Sequence, residues 1–163
     1  IAKRSSSDAG YVNAYPVGDN PCALAFDGAN IWVAHTGGTL MKLRASDGAP
    51  LANISLGSGL SDLVFDGRNV WVTNQTSDTV TKIRASDCTV LDTYDVGDGP
   101  RNVVFDGLHV WTANYSSGDV TKLEADDGGL VGTYEVGNQP VALSFDGANI
   151  WVANQSDDTL MKL

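Results

Sequence analysis

Apolar residues fall in short blocks rich in Val, Ile, Leu and Trp, and each block ends in a cluster of Gly, Asp, Asn or Ser. That is the pattern of short strands separated by tight turns. Nowhere does an apolar stripe recur with the helical period long enough to build a helix, so the chain reads as all-β. The blocks also repeat. Phe-Asp-Gly occurs at Phe26-Asp27-Gly28, Phe65-Asp66-Gly67, Phe105-Asp106-Gly107 and Phe145-Asp146-Gly147. A Trp stands six residues after each Phe, at Trp32, Trp71, Trp111 and Trp151, with spacings of 39, 40 and 40. Upstream of each unit lies a turn with Gly18, Gly57, Gly97 or Gly137, and downstream an apolar string carries Lys42, Lys82, Lys122 or Lys162. Four landmarks in one register set a repeat of about forty residues.

Each repeat predicts four strands. Strand a, such as 101–105, closes on the Asp-Gly turn that favours a tight hairpin. Strand b holds Ile31-Trp32-Val33-Ala34 and its copies, and a polar turn such as 114–119 leads to strand c with its Lys. A second turn, Ala45-Ser46-Asp47-Gly48 or its kin, leads to strand d, such as 90–94. Four strands in about forty residues make one blade of a β-propeller, with both faces buried against neighbouring blades. The 163 residues therefore form a single propeller domain with repeats at about 17–55, 56–95, 96–135 and 136–163.

The phase of the repeat is informative. Residues 11–15 match Val90 to Tyr94 at an offset of 79, whereas Leu163 ends a strand c. A strand d within residues 1–15 is thus expected to complete the last blade by strand exchange, which removes an exposed sheet edge. The favoured arrangement is a homodimer in which two four-bladed chains complete one eight-bladed ring. A closed four-bladed monomer and a piece of a longer or engineered propeller are the alternatives.

Composition narrows the partners. Ten Lys plus Arg against twenty Asp plus Glu give a net charge of −10, which argues against nucleic acid, a polyanion held by clustered Lys and Arg. No run reaches the roughly 18 apolar residues of a membrane helix. Cys22 and Cys88 occupy different positions in the repeat, so no disulfide is expected. The compartment stays open, although acidity and free cysteines fit an exported or cell-surface bacterial protein.

The string Phe-Asp-Gly-Ala-Asn-Ile-Trp-Val-Ala at 26–34 and 145–153, with Thr-Val-Thr-Lys-Ile at 79–83, resembles the YVTN-type repeats of bacterial β-propellers, a group that includes the virginiamycin B lyase-like propellers. The resemblance covers essentially the whole chain. It implies a propeller acting as a binding scaffold, a surface protein or, in a few members, an enzyme. In the lyases it implies a His, a Glu and a magnesium ion near the top centre of the ring. Here His35 stands on the top side, in the slot of Asn74, Asn114 and Asn154, with no Glu near it in sequence. His109 takes the slot of Asn30, Asn69 and Asn149, in the hairpin on the opposite side. No catalytic set, metal site or cofactor is expected.

The repeats differ most in the loops of the top side, which makes that face the candidate site. The candidate contact residues are His35, Asn74, Asn114 and Asn154 after strand b, Tyr115 beside Asn114, Arg101 at the mouth of strand a, and Asp19 and Asp98 in the preceding turns. They suit a small molecule, a carbohydrate or a protein. The repeated Asp reads as turn chemistry, the repeated Trp as packing between blades, and the repeated Lys as a solvated or Asp-paired rim. The sequence thus predicts a non-enzymatic binding or interaction scaffold. Its rivals are a lyase- or hydrolase-like enzyme using His35, and a purely structural assembly unit.

Overall fold

The computed structural model describes residues 13–163. Blade one holds β1 (Pro21–Phe26), β2 (Asn30–His35), β3 (Thr39–Arg44) and β4 (Pro50–Ser55). Blade two holds β5 (Leu60–Phe65), β6 (Asn69–Asn74), β7 (Thr79–Arg84) and β8 (Val90–Asp95). Blade three holds β9 (Pro100–Phe105), β10 (His109–Asn114), β11 (Asp119–Glu124) and β12 (Leu130–Glu135). Blade four has β13 (Pro140–Phe145), β14 (Ile150–Asn154) and β15 (Thr159–Lys162). Every sheet is an antiparallel meander in chain order, and the described residues contain no helix. The all-β propeller architecture read from the repeat is the one observed.

Of the strand expected within residues 1–15, positions 1–12 lie outside the described residues. Asn13, Ala14 and Tyr15 are not in a strand, and among the described residues the last sheet has three strands.

The Phe-Asp-Gly turn is built the same way in all four blades. In the first, Asp27 Oδ1 accepts the backbone N–H groups of Ala29 (3.0 Å) and Asn30 (2.7 Å), while Gly28 takes a φ of 96° that a side chain would strain. The other carboxylate oxygen accepts the indole Nε1–H of the Trp five residues on. That bond measures 2.9, 2.7, 2.8 and 2.7 Å at Trp32, Trp71, Trp111 and Trp151. One side chain therefore closes the hairpin and fixes the indole that packs the blade. His109 Nδ1 lies 3.1 Å from Asp106 Oδ2, standing in for the Asn amide that donates to the turn Asp elsewhere.

At two of its four positions, Lys42 and Lys82, the repeated Lys is not a solvated rim, which corrects the sequence expectation there, whereas Lys162 is exposed. Lys42 and Lys82 are buried, their ammonium groups 4.9 and 5.0 Å from the centres of the Trp32 and Trp71 rings. Lys42 Nζ donates to the Ala85 carbonyl at 2.6 Å, and Lys82 Nζ to those of Ala125 and Asp126 at 2.8 and 2.7 Å. Each bond crosses into the next blade. Sequence periodicity could place the Lys but could not show that the neighbouring turn offers carbonyls to it.

The core lies between blades rather than within them. Leu40 of β3 shares a buried cluster with Leu63 of β5; Val80 of β7 does so with Val103 of β9, and Val120 of β11 with Leu143 of β13. Burying such a side chain is worth about 1.5–3 kcal/mol, so each interface is a substantial share of the stability. The inner strands meet in the order β1, β5, β9, β13. Among the described residues, no contact of comparable extent joins β13 back to β1, so the four blades form an open arc.

Candidate functional site

The loops after β2, β6, β10 and β14 lie on the same side of the arc as the turns that enter β5, β9 and β13. Backbone bonds tie them together: Gln75 N–H donates to Gly59 O at 2.8 Å, Tyr115 N–H to Gly99 O at 3.0 Å and Gln155 N–H to Gln139 O at 3.0 Å. This is the top face expected from the sequence, and all eight candidate residues stand on it. They divide by burial. His35, Asn74, Asn114 and Asn154 are at most 4% exposed. Asp19, Asp98 and Arg101 are exposed, and Tyr115 is half-buried.

The buried four serve the fold. Asn74 Oδ1 accepts the N–H groups of Thr76 (3.0 Å) and Ser77 (3.2 Å), closing its loop. Asn114 Nδ2 donates to Asp119 Oδ1 at 2.6 Å and Thr121 Oγ1 at 2.8 Å, and Asn154 Nδ2 to Thr159 Oγ1 at 3.2 Å. His35 Nδ1 donates to the Thr39 carbonyl at 3.0 Å, and its buried Nε2 meets no hydrogen-bond partner among the described residues. Among the described residues, no group of three or more His, Cys, Asp or Glu is placed to hold a metal ion.

The exposed residues gather around the third blade. The Arg101 guanidinium lies over the Tyr115 ring, its Cζ 3.5 Å from the ring centre, and makes no ion pair among the described residues. Tyr115 also walls an open cleft of about 540 Å³ between blades three and four, with Ser116, Asn138, Gln139, Ser156 and Asp157. Asp157 is shaped by its neighbour: Asn138 donates to it from Nδ2 (2.8 Å) and from its backbone N–H (2.6 Å), and these bonds hold its carboxyl below the usual range. Hydroxyl, amide, carboxylate, phenol and guanidinium groups thus converge within one loop cluster.

Along the inner strands lies a polar ladder that the sequence reading missed. Cys22 Sγ lies 3.3 Å from the carbonyls of both Ala34 and Leu60, which share its one S–H, and Ser61 Oγ donates to Pro100 O at 2.6 Å. Asp62 Oδ2 accepts from Asn102 Nδ2 and from Val103 N–H (3.0 Å), and Asn102 Oδ1 accepts from Leu143 N–H at 2.6 Å. The ladder stitches β5, β9 and β13 together near the axis. Burial pushes the Asp62 carboxyl up, outweighing those donors and Leu63 N–H. Partial burial, then the Asp62 charge, push the Cys22 thiol up, away from thiolate chemistry. The available signal was a break in the repeat, since Asp62 and Asn102 fill slots that hold Ala23 and Ala142 in the outer blades.

Wedge-set four-stranded sheets with a polar loop mouth at the axis define a β-propeller. No protein-family profile and no curated protein sequence matches the chain. Solved structures do resemble it. The computationally designed Ika4 protein is similar at a TM-score of 0.80 and 16% identity, over 92% of this chain and 94% of that one. A streptogramin B lyase structure is similar at a TM-score of 0.73 and 17% identity, over 91% of this chain and 56% of that one. A hydrazine synthase chain from Kuenenia stuttgartiensis gives a TM-score of 0.76 and 18% identity, over 89% and 46%. The chain spans about half the length of those last two. At such identities the likeness is one of fold.

Proposed function

We propose that this chain is a non-catalytic binding scaffold whose ligand meets the top loops beside blade three, and that its repeats are of the YVTN type found in bacterial propellers. The observation that carries the reading is the exposed Arg101 guanidinium stacked on Tyr115 at the lip of the polar cleft. In a chain of net charge −10, a cation with no carboxylate partner among the described residues is the group most available to an incoming acceptor. Amide, hydroxyl and carboxylate groups beside an aromatic ring suit a hydroxyl-rich ligand, which places carbohydrates first in the class. Asp19 and Asp98 are exposed on the same face and fall within reach of a larger partner. His35 does not support a lyase-like reading, because its ring is buried and its Nδ1 is taken by the Thr39 carbonyl.

The test is a titration of neutral and uronic oligosaccharides, read by backbone amide NMR shifts over the whole chain and repeated with Arg101→Ala and Tyr115→Ala. Binding that both variants weaken at least tenfold supports the reading. Shifts confined to the opposite face, or binding indifferent to both variants, would overturn it.

A further inference from the structure

The two ends of the arc present opposite halves of the interface that the chain builds three times inside itself. In the interior, Leu63, Val103 and Leu143 on the inner strands are 5%, 3% and 8% exposed, because the preceding blade covers them. Leu24 holds the same slot in blade one and is 68% exposed. On the other side of the interface, Leu40, Val80 and Val120 are fully covered by the following blade, whereas Leu160, their equivalent in blade four, is 64% exposed. Phe26, at the end of β1, adds to the bare face of blade one at 56% exposure. Two such apolar faces on one molecule are a surface awaiting a partner.

We propose that the occupant is a second copy of this chain, with Leu160 of each copy packed against Leu24 of the other in a closed eight-bladed ring. The first argument is continuity with an established interface. Leu40 with Leu63, Val80 with Val103 and Val120 with Leu143 fix the geometry, and Leu160 with Leu24 is the next term of that series. The second is closure. Among the described residues no contact of the extent of β1 with β5 joins β13 to β1, so these four blades leave their two end faces uncovered, while a two-fold axis relating two arcs covers both at once. The third is Tyr15. A Cβ at Gly48 would fall on the Tyr15 ring, just as one at Gly128 would fall on the ring of Tyr94, a residue of the outer strand β8. Tyr15 thus sits over blade one as an outer-strand residue of a blade preceding it would. Among the described residues, the last sheet is the one without a fourth, outer strand. This inference stands apart from the ligand-face reading, which concerns the top loops of blades three and four.

The experiment is sedimentation velocity on the full chain, with Leu24→Asp and Leu160→Asp measured alone and mixed. Both positions are exposed in the single chain, and circular dichroism checks that the variants fold. The parent is expected at twice its 17.1 kDa mass. Each variant alone places a carboxylate in both interfaces and is expected to run as a monomer, its dissociation constant raised at least about a hundredfold. The equimolar mixture is expected to regain dimer, because a mixed pair has one interface free of substitutions. A parent that runs at 17.1 kDa, variants that stay dimeric, a mixture that stays monomeric, or an open-ended series of larger species would each overturn the proposal.

Discussion

Replacing Asp106 by Asn removes a charge from the turn clamp without changing its volume, and the structure sets the size of the effect. Burial alone would raise the Asp106 carboxyl. Donation from Trp111 Nε1 (2.8 Å), the N–H groups of Leu108 (2.8 Å) and His109 (2.7 Å), and the His109 ring (3.1 Å) outweighs it. The balance holds the group at about 2 against an ordinary 3.8. At about 1.4 kcal/mol per unit, the depression amounts to roughly 2 kcal/mol of native stability. The side chain is only 15% exposed, so solvent screening takes away little of this. Because the folded value is the lower one, the contribution is complete above pH 3.8 and drains away as pH falls through about 2. Urea unfolding followed by Trp fluorescence, at intervals from pH 6 to 2.5, is the assay. Asp106→Asn should be about 2 kcal/mol less stable at pH 6, and the gap should shrink steadily below pH 4. Any remainder at low pH belongs to the Asn amide meeting the Trp111 N–H, donor against donor. A gap that ignores pH, or no gap at pH 6, would refute the assignment of the stability to the charged clamp.

Asp62→Asn should act in the opposite sense. Its folded carboxyl is raised by burial, so the parent's stability is favoured below the ordinary 3.8 and falls as pH rises; the variant should melt higher at pH 7 and lose that advantage near pH 3.5. A pH-independent melting difference would count against a buried charge at the ladder. Gly128→Ala puts a methyl on the Tyr94 ring at a φ of 79°, and should cost at least about 1–2 kcal/mol by urea titration. Adding Tyr94→Ala should recover part of that loss, and strict additivity of the two would show that they do not touch. Lys82→Met leaves the Ala125 and Asp126 carbonyls without their donor and should cost about 1–3 kcal/mol in the same assay; a loss within 0.5 kcal/mol, about that of an exposed pair, would restore the solvated-rim reading.

What the sequence made legible follows from where its information is local. A turn such as Asp27-Gly28 declares itself, because the Asx bonds and the positive φ involve neighbours only. The repeat then multiplies one local reading by four, and the β-propeller emerges from period alone. The Trp–Asp bond was within reach by the same route, since a constant spacing of five between a carboxylate and an indole is a local fact that turn chemistry and packing each explain only in part. Lys82 was not within reach. Its acceptors stand forty-three and forty-four residues away in the next blade, and a Lys at a regular position reads the same whether water or carbonyls receive its protons.

The site divides along the same line. Asn74, Asn114 and Asn154 stand on the variable top side yet themselves repeat, and repetition is the mark of a part the fold needs in every blade, which is how the structure uses them. Arg101 and Tyr115 appear in one blade each and meet at 3.5 Å; the ladder residues Asp62 and Asn102 are likewise departures from a slot filled elsewhere by Ala. In a protein made of equivalent wedges, repeated positions carry the stability and broken ones carry what is individual to the molecule. The same logic separates the blades themselves. Leu24 and Leu160 are ordinary members of the repeat in sequence and differ from their counterparts in having no blade packed over them among the described residues, so the strongest pointer to self-association lies in exposure and could not be read from composition or spacing.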